Sequence, residues 1–105
     1  MELTSKQRAY LRSLAVQEDT ILMVGKSGIT PEVIKQADDA LEKRELIKGR
    51  TLPESSPVTP REAAEQIGEA TNSTVVQVIG SRFVLFRQKK KDSKIVLPRP
   101  KRGDL

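Results

Sequence analysis

The sequence predicts a small α/β domain of the two-layer α+β kind, α-β-α-β-α-β-β, with helices packed on a four-stranded mixed sheet. Three observations predict it. Helix caps stand at Thr4, Thr30 and Thr59, each ahead of a segment with helical apolar spacing. Apolar runs at 20–25, 74–79 and 82–87 have strand length, and a more mixed run at 45–52 has the same length. Strand–helix–strand connections set parallel neighbours, whereas Gly80-Ser81 joins the last two runs as an antiparallel hairpin.

Each element has a local reason. Thr4 and Gln7 have capping-box spacing, and the first helix runs to about Ala15. At 100° per residue, Leu3, Tyr10, Leu11, Leu14 and Ala15 share one side, and Lys6, Arg8 and Arg12 lie on the other. Thr30 caps the second helix, 31–44, with Pro31 at its first position, where a missing N–H costs nothing. Val33, Ile34, Ala37, Ala40 and Leu41 form its apolar stripe. In 45–52, Leu46, Lys48, Arg50 and Leu52 share one face, a mixture that suits an edge strand. Gly49 would weaken that strand or permit a bulge. Pro53, Pro57 and Pro60 with two serines make a loop. Thr59-Pro60-Arg61-Glu62 then opens the third helix, which runs to about Thr71 on a stripe of Ala63, Ala64, Ile67 and Ala70. Asn72 fits the left-handed position after it. The valine- and phenylalanine-rich runs that follow read as central strands.

A chain of 105 residues makes one domain, 1–87, followed by a basic, mobile tail at 88–105. Residues 87–105 hold eight basic and two acidic residues, so the net charge of +5 belongs mainly to that end. Such a tail points to nucleic acid or simply to a solubilising end. No run approaches a membrane span, and the N-terminus lacks the apolar stretch of a signal peptide, so the expected location is the cytoplasm. Cys and His are both absent. That removes disulfides, thiol nucleophiles, the common zinc ligands and the usual general base. No catalytic residues, metal site or cofactor are expected.

Residues 20–34 carry the strongest functional signal. An apolar strand runs into Gly25-Lys26-Ser27-Gly28 and then into the capped helix at Pro31. Two glycines allow positive φ and close approach. The helix start supplies unpaired N–H groups and partial positive charge, and Lys26 adds a cation. These are the parts of a phosphate-binding loop. Taken alone, the tetrapeptide also fits an ordinary strand-to-helix turn. A nucleotide P-loop is excluded, because Thr20 stands where its first Gly is required.

Five segments together resemble the CRM domain, and within it the stand-alone bacterial YhbY-like RNA-binding proteins. They are Leu3 to Arg8 with Tyr10 to Ala15, Val24 to Thr30, Arg44 to Lys48, Ala70-Thr71, and Val76 to Gly80. The resemblance spans residues 2–87. It implies strand order 1-2-4-3 and a fold akin to the C-terminal domain of translation initiation factor three. It implies RNA binding through a GxxG loop shared with KH-type proteins, here Gly25 to Gly28. It also implies ribosomal RNA in precursors of the large subunit as the partner.

The candidate RNA-binding residues are therefore Gly25, Lys26, Ser27 and Gly28, extended by Lys6, Arg8, Arg12, Arg44, Lys48 and Arg50. For Lys48 and Arg50 a solvated strand face, and for Arg44 a helix-end charge, are the competing readings. The expected protein is a monomeric, non-enzymatic binder of structured RNA, with no membrane or small-molecule partner. Its rival is a protein-interaction module of the translation machinery that recruits a partner on an exposed second strand.

Overall fold

The computed structural model describes residues 2–52 and 54–98. Its elements are α1 (Ser5–Ala15), β1 (Thr20–Val24), α2 (Pro31–Arg44), β2 (Leu46–Thr51), α3 (Pro60–Thr71), β3 (Thr74–Ile79) and β4 (Arg82–Phe86). The caps are where the sequence puts them. In α1 the Thr4 hydroxyl accepts from the Gln7 amide, and the Gln7 side chain accepts from the Thr4 amide, both at 3.1 Å. Thr59 and Glu62 close the same reciprocal pair on α3. Asn72 ends α3 in the left-handed conformation.

The sheet order is β1-β2-β4-β3, with β1 and β2 parallel and the other two pairs antiparallel. β2 is thus an interior strand, and its edge assignment is corrected. Ile47, Gly49 and Thr51 are all buried on its other face, and Leu46 is buried at its start. Lys48 and Arg50 are polar because part of their sheet face is left uncovered, not because the strand lies at an edge. Of the two hairpin strands read as central, β4 is interior and β3 forms an edge. Gly80 has φ +57, as a two-residue hairpin turn with Gly first requires.

Gly49 makes no bulge. It pairs in register with Phe83, and a Cβ built on it would lie 2.5 Å from the Phe83 ring. The absent side chain is the space that the ring fills. The register slips elsewhere, between Thr20 and Leu22 and between Val75 and Gln77.

Apolar side chains cover both sheet faces. Leu22, Val24, Ile47, Phe83 and Leu85 pack under α2 and α3, against Ala37, Leu41, Ala63, Ala64 and Ile67. Ala70 is exposed, and buried Gly68 and Thr71 complete the α3 stripe in its place. On the opposite face Leu46, Val76, Val84 and Phe86 pack with Leu11 and Ala15 of α1. The sheet is therefore the middle of three layers, which refines the two-layer expectation.

Beyond β4, residues 88–98 form neither helix nor strand, yet they are tied to the domain through Glu45. Glu45 follows α2 with φ +65 and is 1% exposed. Its carboxylate accepts from the amides of Lys89, Lys94 and Ile95 and from the Ser93 hydroxyl, at 2.6–3.2 Å. Ile95 and Leu97 lean on the α1-side core. The mobile tail expected from sequence begins at 88; these contacts belong to its first part, and residues 99–105 lie outside the described residues. Burial alone would push the Glu45 carboxyl up. The Ser93 hydroxyl and three amides outweigh it and hold the group below its ordinary value.

Two expectations follow. Gly49→Ala forces a methyl into the Phe83 ring and should cost about 1–3 kcal/mol in urea unfolding; a loss under about 0.5 kcal/mol contradicts the contact. A depressed carboxyl pKa stabilises the fold in full above the unfolded value of about 4.3 and less as pH falls through the folded one. Glu45→Gln should therefore lose about 2 kcal/mol near neutral pH, speed amide exchange at Lys94 and Ile95, and flatten the acid limb of the stability curve. Superimposable acid limbs for the two proteins would exclude this role.

Candidate nucleic-acid interface

The C-terminal ends of β1, β2 and β3 and the start of β4 lie at one end of the sheet. The loops after β1 and β2 and the β3–β4 hairpin are therefore gathered there. Gly25 to Gly28 form a tight turn closed by the Gly28 amide on the Gly25 carbonyl at 3.0 Å. Lys26 and Ser27 stand exposed at its tip. Among the described residues their amides make no hydrogen bond to protein.

Only glycine fits the fourth position. Gly28 has φ +68 and is buried, and a Cβ there would lie 2.9 Å from Pro57 Cγ. Pro57 belongs to the loop after β2, which is fixed by the Leu52 amide on the Val24 carbonyl at 2.9 Å. That loop braces the turn from below while its tip stays bare. Thr30 then caps α2 by accepting from the Val33 amide at 3.2 Å, and Pro31 takes the first helical position. The turn thus sits directly ahead of the electropositive end of a 14-residue helix. Beside it, Leu52, Ser56, Pro57, Thr59 and Ser81 line an open pocket of about 430 Å³.

The remaining candidates are dispersed. Lys6 and Arg12 are exposed on α1. Arg8 turns to the sheet, and its Nη1 donates to the carbonyls of Val75 and Val76 at 2.8 and 2.6 Å. It thereby satisfies the backbone where the β3 register slips. Arg44 is exposed at the far end of α2, about 20 Å along that helix from the turn. Lys48 and Arg50 are half-buried on the α1-side face of β2. The interior position of β2 removes the exposed strand that the protein-interaction reading needed.

Sequence reasoning missed one neighbour of these residues. Arg82 pairs with Arg50 across β2 and β4, and the row continues to Met23 on β1 and Ile79 on β3. Arg82 looks unremarkable in sequence, as the first residue of an apolar strand. Only the register sets it opposite Arg50.

Residues 3–87 match the family model of the CRS1/YhbY (CRM) domain. The chain is similar to the probable RNA-binding protein YqeI of Bacillus subtilis, 40% identical over 96 residues, covering 91% of this chain and 99% of that protein. It is 33% identical over 97 residues to an RNA-binding protein of Haemophilus influenzae, covering 92% and 96% of the two chains. The solution structure of a hypothetical protein from Staphylococcus aureus, for which RNA binding is proposed, has the same fold. Its TM-score is 0.74 at 48% identity, with 92% of this chain and all of that chain covered.

Proposed function

The chain belongs to the CRS1/YhbY (CRM) domain family, and from that premise we propose that it is a monomeric, non-enzymatic binder of structured RNA. Its site of action would be the cytoplasm and its partner the ribosomal RNA of large-subunit precursors. Two relatives are named for RNA binding, which supports the choice of polymer. The observation that carries the mechanism is the Gly25–Gly28 turn, with a bare tip and a helix start behind it.

In this reading a backbone phosphate meets the Lys26 and Ser27 amides, with the Lys26 ammonium as counter-charge. Gly28, with positive φ and seated on Pro57, and Gly25, against Leu52, let the turn close tightly beneath that tip. Lys6 and Arg12 extend the contact along the ribose-phosphate chain. Arg8 contributes through the β3 strand that it holds. Lys48 and Arg50 add charge on the sheet face, and Arg44 reaches a separate stretch of a folded RNA. Phosphate contacts of this kind give affinity and register without reading bases. Shape recognition of folded RNA follows from them.

Replacing Lys26 and Ser27 together by Asp reverses the charge at the tip without touching buried residues. Affinity for a ribosomal RNA fragment in moderate salt should fall by more than about tenfold, with the urea midpoint unchanged. Lys26→Ala alone should lower the slope of log affinity against log salt by about 1. An Asp double variant that binds within twofold of the parent would remove the turn from the interface.

A further inference from the structure

The row Met23, Arg50, Arg82 and Ile79 crosses all four strands of the sheet, next to the glycine turn. It lies on the face where α1 packs over Leu46, Val76, Val84 and Phe86, one row beyond the last of these. Met23 is 50% exposed and Ile79 62%, and Arg82 is exposed between them. Three features of this row are costly for the free protein. Like charges directly opposite each other on neighbouring strands repel. Among the described residues no carboxylate pairs with Arg50, Arg82 or Lys48. The Arg50 Nε is buried with no hydrogen-bond partner. An anionic ligand on this face offsets the repulsion and supplies the counter-charge that the free protein lacks.

The two apolar ends narrow the ligand further. Phosphate oxygens gain nothing from Met23 or Ile79. Flat base faces do, through contact with the thioether and the branched alkyl chain, and they stack equally on guanidinium planes. A duplex buries its base faces and offers this row only its backbone. An unpaired segment offers bases and phosphates together. Three strand spacings separate β1 from β3, about 14 Å, so the row can take a short run of nucleotides. Met23 lies two residues before Gly25, which puts the platform within one strand-length of the phosphate-binding turn.

We infer that this row is a platform for an unpaired RNA segment, adjoining a structured part whose backbone is held by the glycine turn. The inference rests on the proposed RNA binding and adds a second subsite to it. The sheet face takes bases, with Met23 and Ile79 as apolar contacts and Arg50 and Arg82 as stacking and hydrogen-bonding groups. Lys48 stands one row further from the turn on the same face, where it adds a cation to the platform.

The test compares one RNA hairpin with and without an unpaired oligouridine tail, by fluorescence anisotropy at fixed salt. The parent protein should bind the tailed hairpin about tenfold more tightly, the scale of one stacked base. Met23→Thr with Ile79→Thr keeps β propensity at two exposed positions and should abolish that gain, leaving blunt-hairpin affinity within twofold. Arg82→Gln should reduce the gain at least threefold, and urea midpoints confirm that both variants are folded. No gain from the tail in the parent overturns the platform, as does a gain that survives the double variant. Equal losses on both hairpins also overturn it, since the row then contacts duplex backbone. The Lys26→Asp, Ser27→Asp protein separates the two readings. If it binds both hairpins like the parent, the turn assignment falls, whatever the sheet row does. If the parent binds neither hairpin, both fall.

Discussion

The antiparallel pairing of β2 with β4, with Gly49 beneath the Phe83 ring, is the contact on which the rest of the structure depends. The ring occupies the volume that a side chain at 49 would need, so the two strands lock in one register. A slip by one residue would turn every side chain to the opposite face. That register makes β2 an interior strand, buries Ile47 and Leu85 under α2 and α3, and sends Leu46 and Phe86 toward α1. It also sets Arg50 against Arg82 and brings the strand ends together at the glycine turn. The placement of charge on this domain is thus a consequence of how its centre packs.

The same economy shows in where the arginines go. Arg87 spans Asp38, Glu42 and the Thr71 carbonyl, joining the end of β4 to both helices on one side. Arg8 fastens α1 to β3 on the other. Both satisfy backbone carbonyls, and Arg87 balances two carboxylates as well, which is where a guanidinium exceeds a lysine. Lys26, Lys6 and Arg12 have no such employment and stand in solvent. Among the described residues the cations therefore divide into those that hold the fold, such as Arg8 and Arg87, and those that stand exposed in solvent, such as Lys6, Arg12 and Lys26.

Glu45 shows how a strained position can be held. Positive φ in a residue with a Cβ is costly. Four hydrogen bonds to its carboxylate offset that cost and draw residues 89–95 around the end of α2. The basic run that follows β4 thereby starts from a defined place, at the end of the sheet opposite the glycine turn. Charge is then presented at both ends of a domain whose body, 1–86, is nearly neutral.

Local chemistry made much of this legible in the chain alone. Caps at Thr4, Thr30 and Thr59 and the hairpin at Gly80 depend on contacts within a few residues, and the structure has them as read; in the turn ahead of α2 only Gly28 takes positive φ, packed on Pro57. Family resemblance supplied the strand order, which local pattern had contradicted by making β2 an edge. What the sequence could not disclose depends on residues far apart. Gly49 looked like a weakness because its partner, Phe83, is 34 positions away. Arg8 looked like a surface cation because the β3 carbonyls it serves are more than 60 positions away. Arg50 and Arg82 became neighbours only through pairing, and Glu45 became an anchor only when a segment beyond β4 closed over it. Short-range hydrogen bonding is written in adjacent residues; which side chains share a face, and which charges are left without a partner, is decided by register and packing.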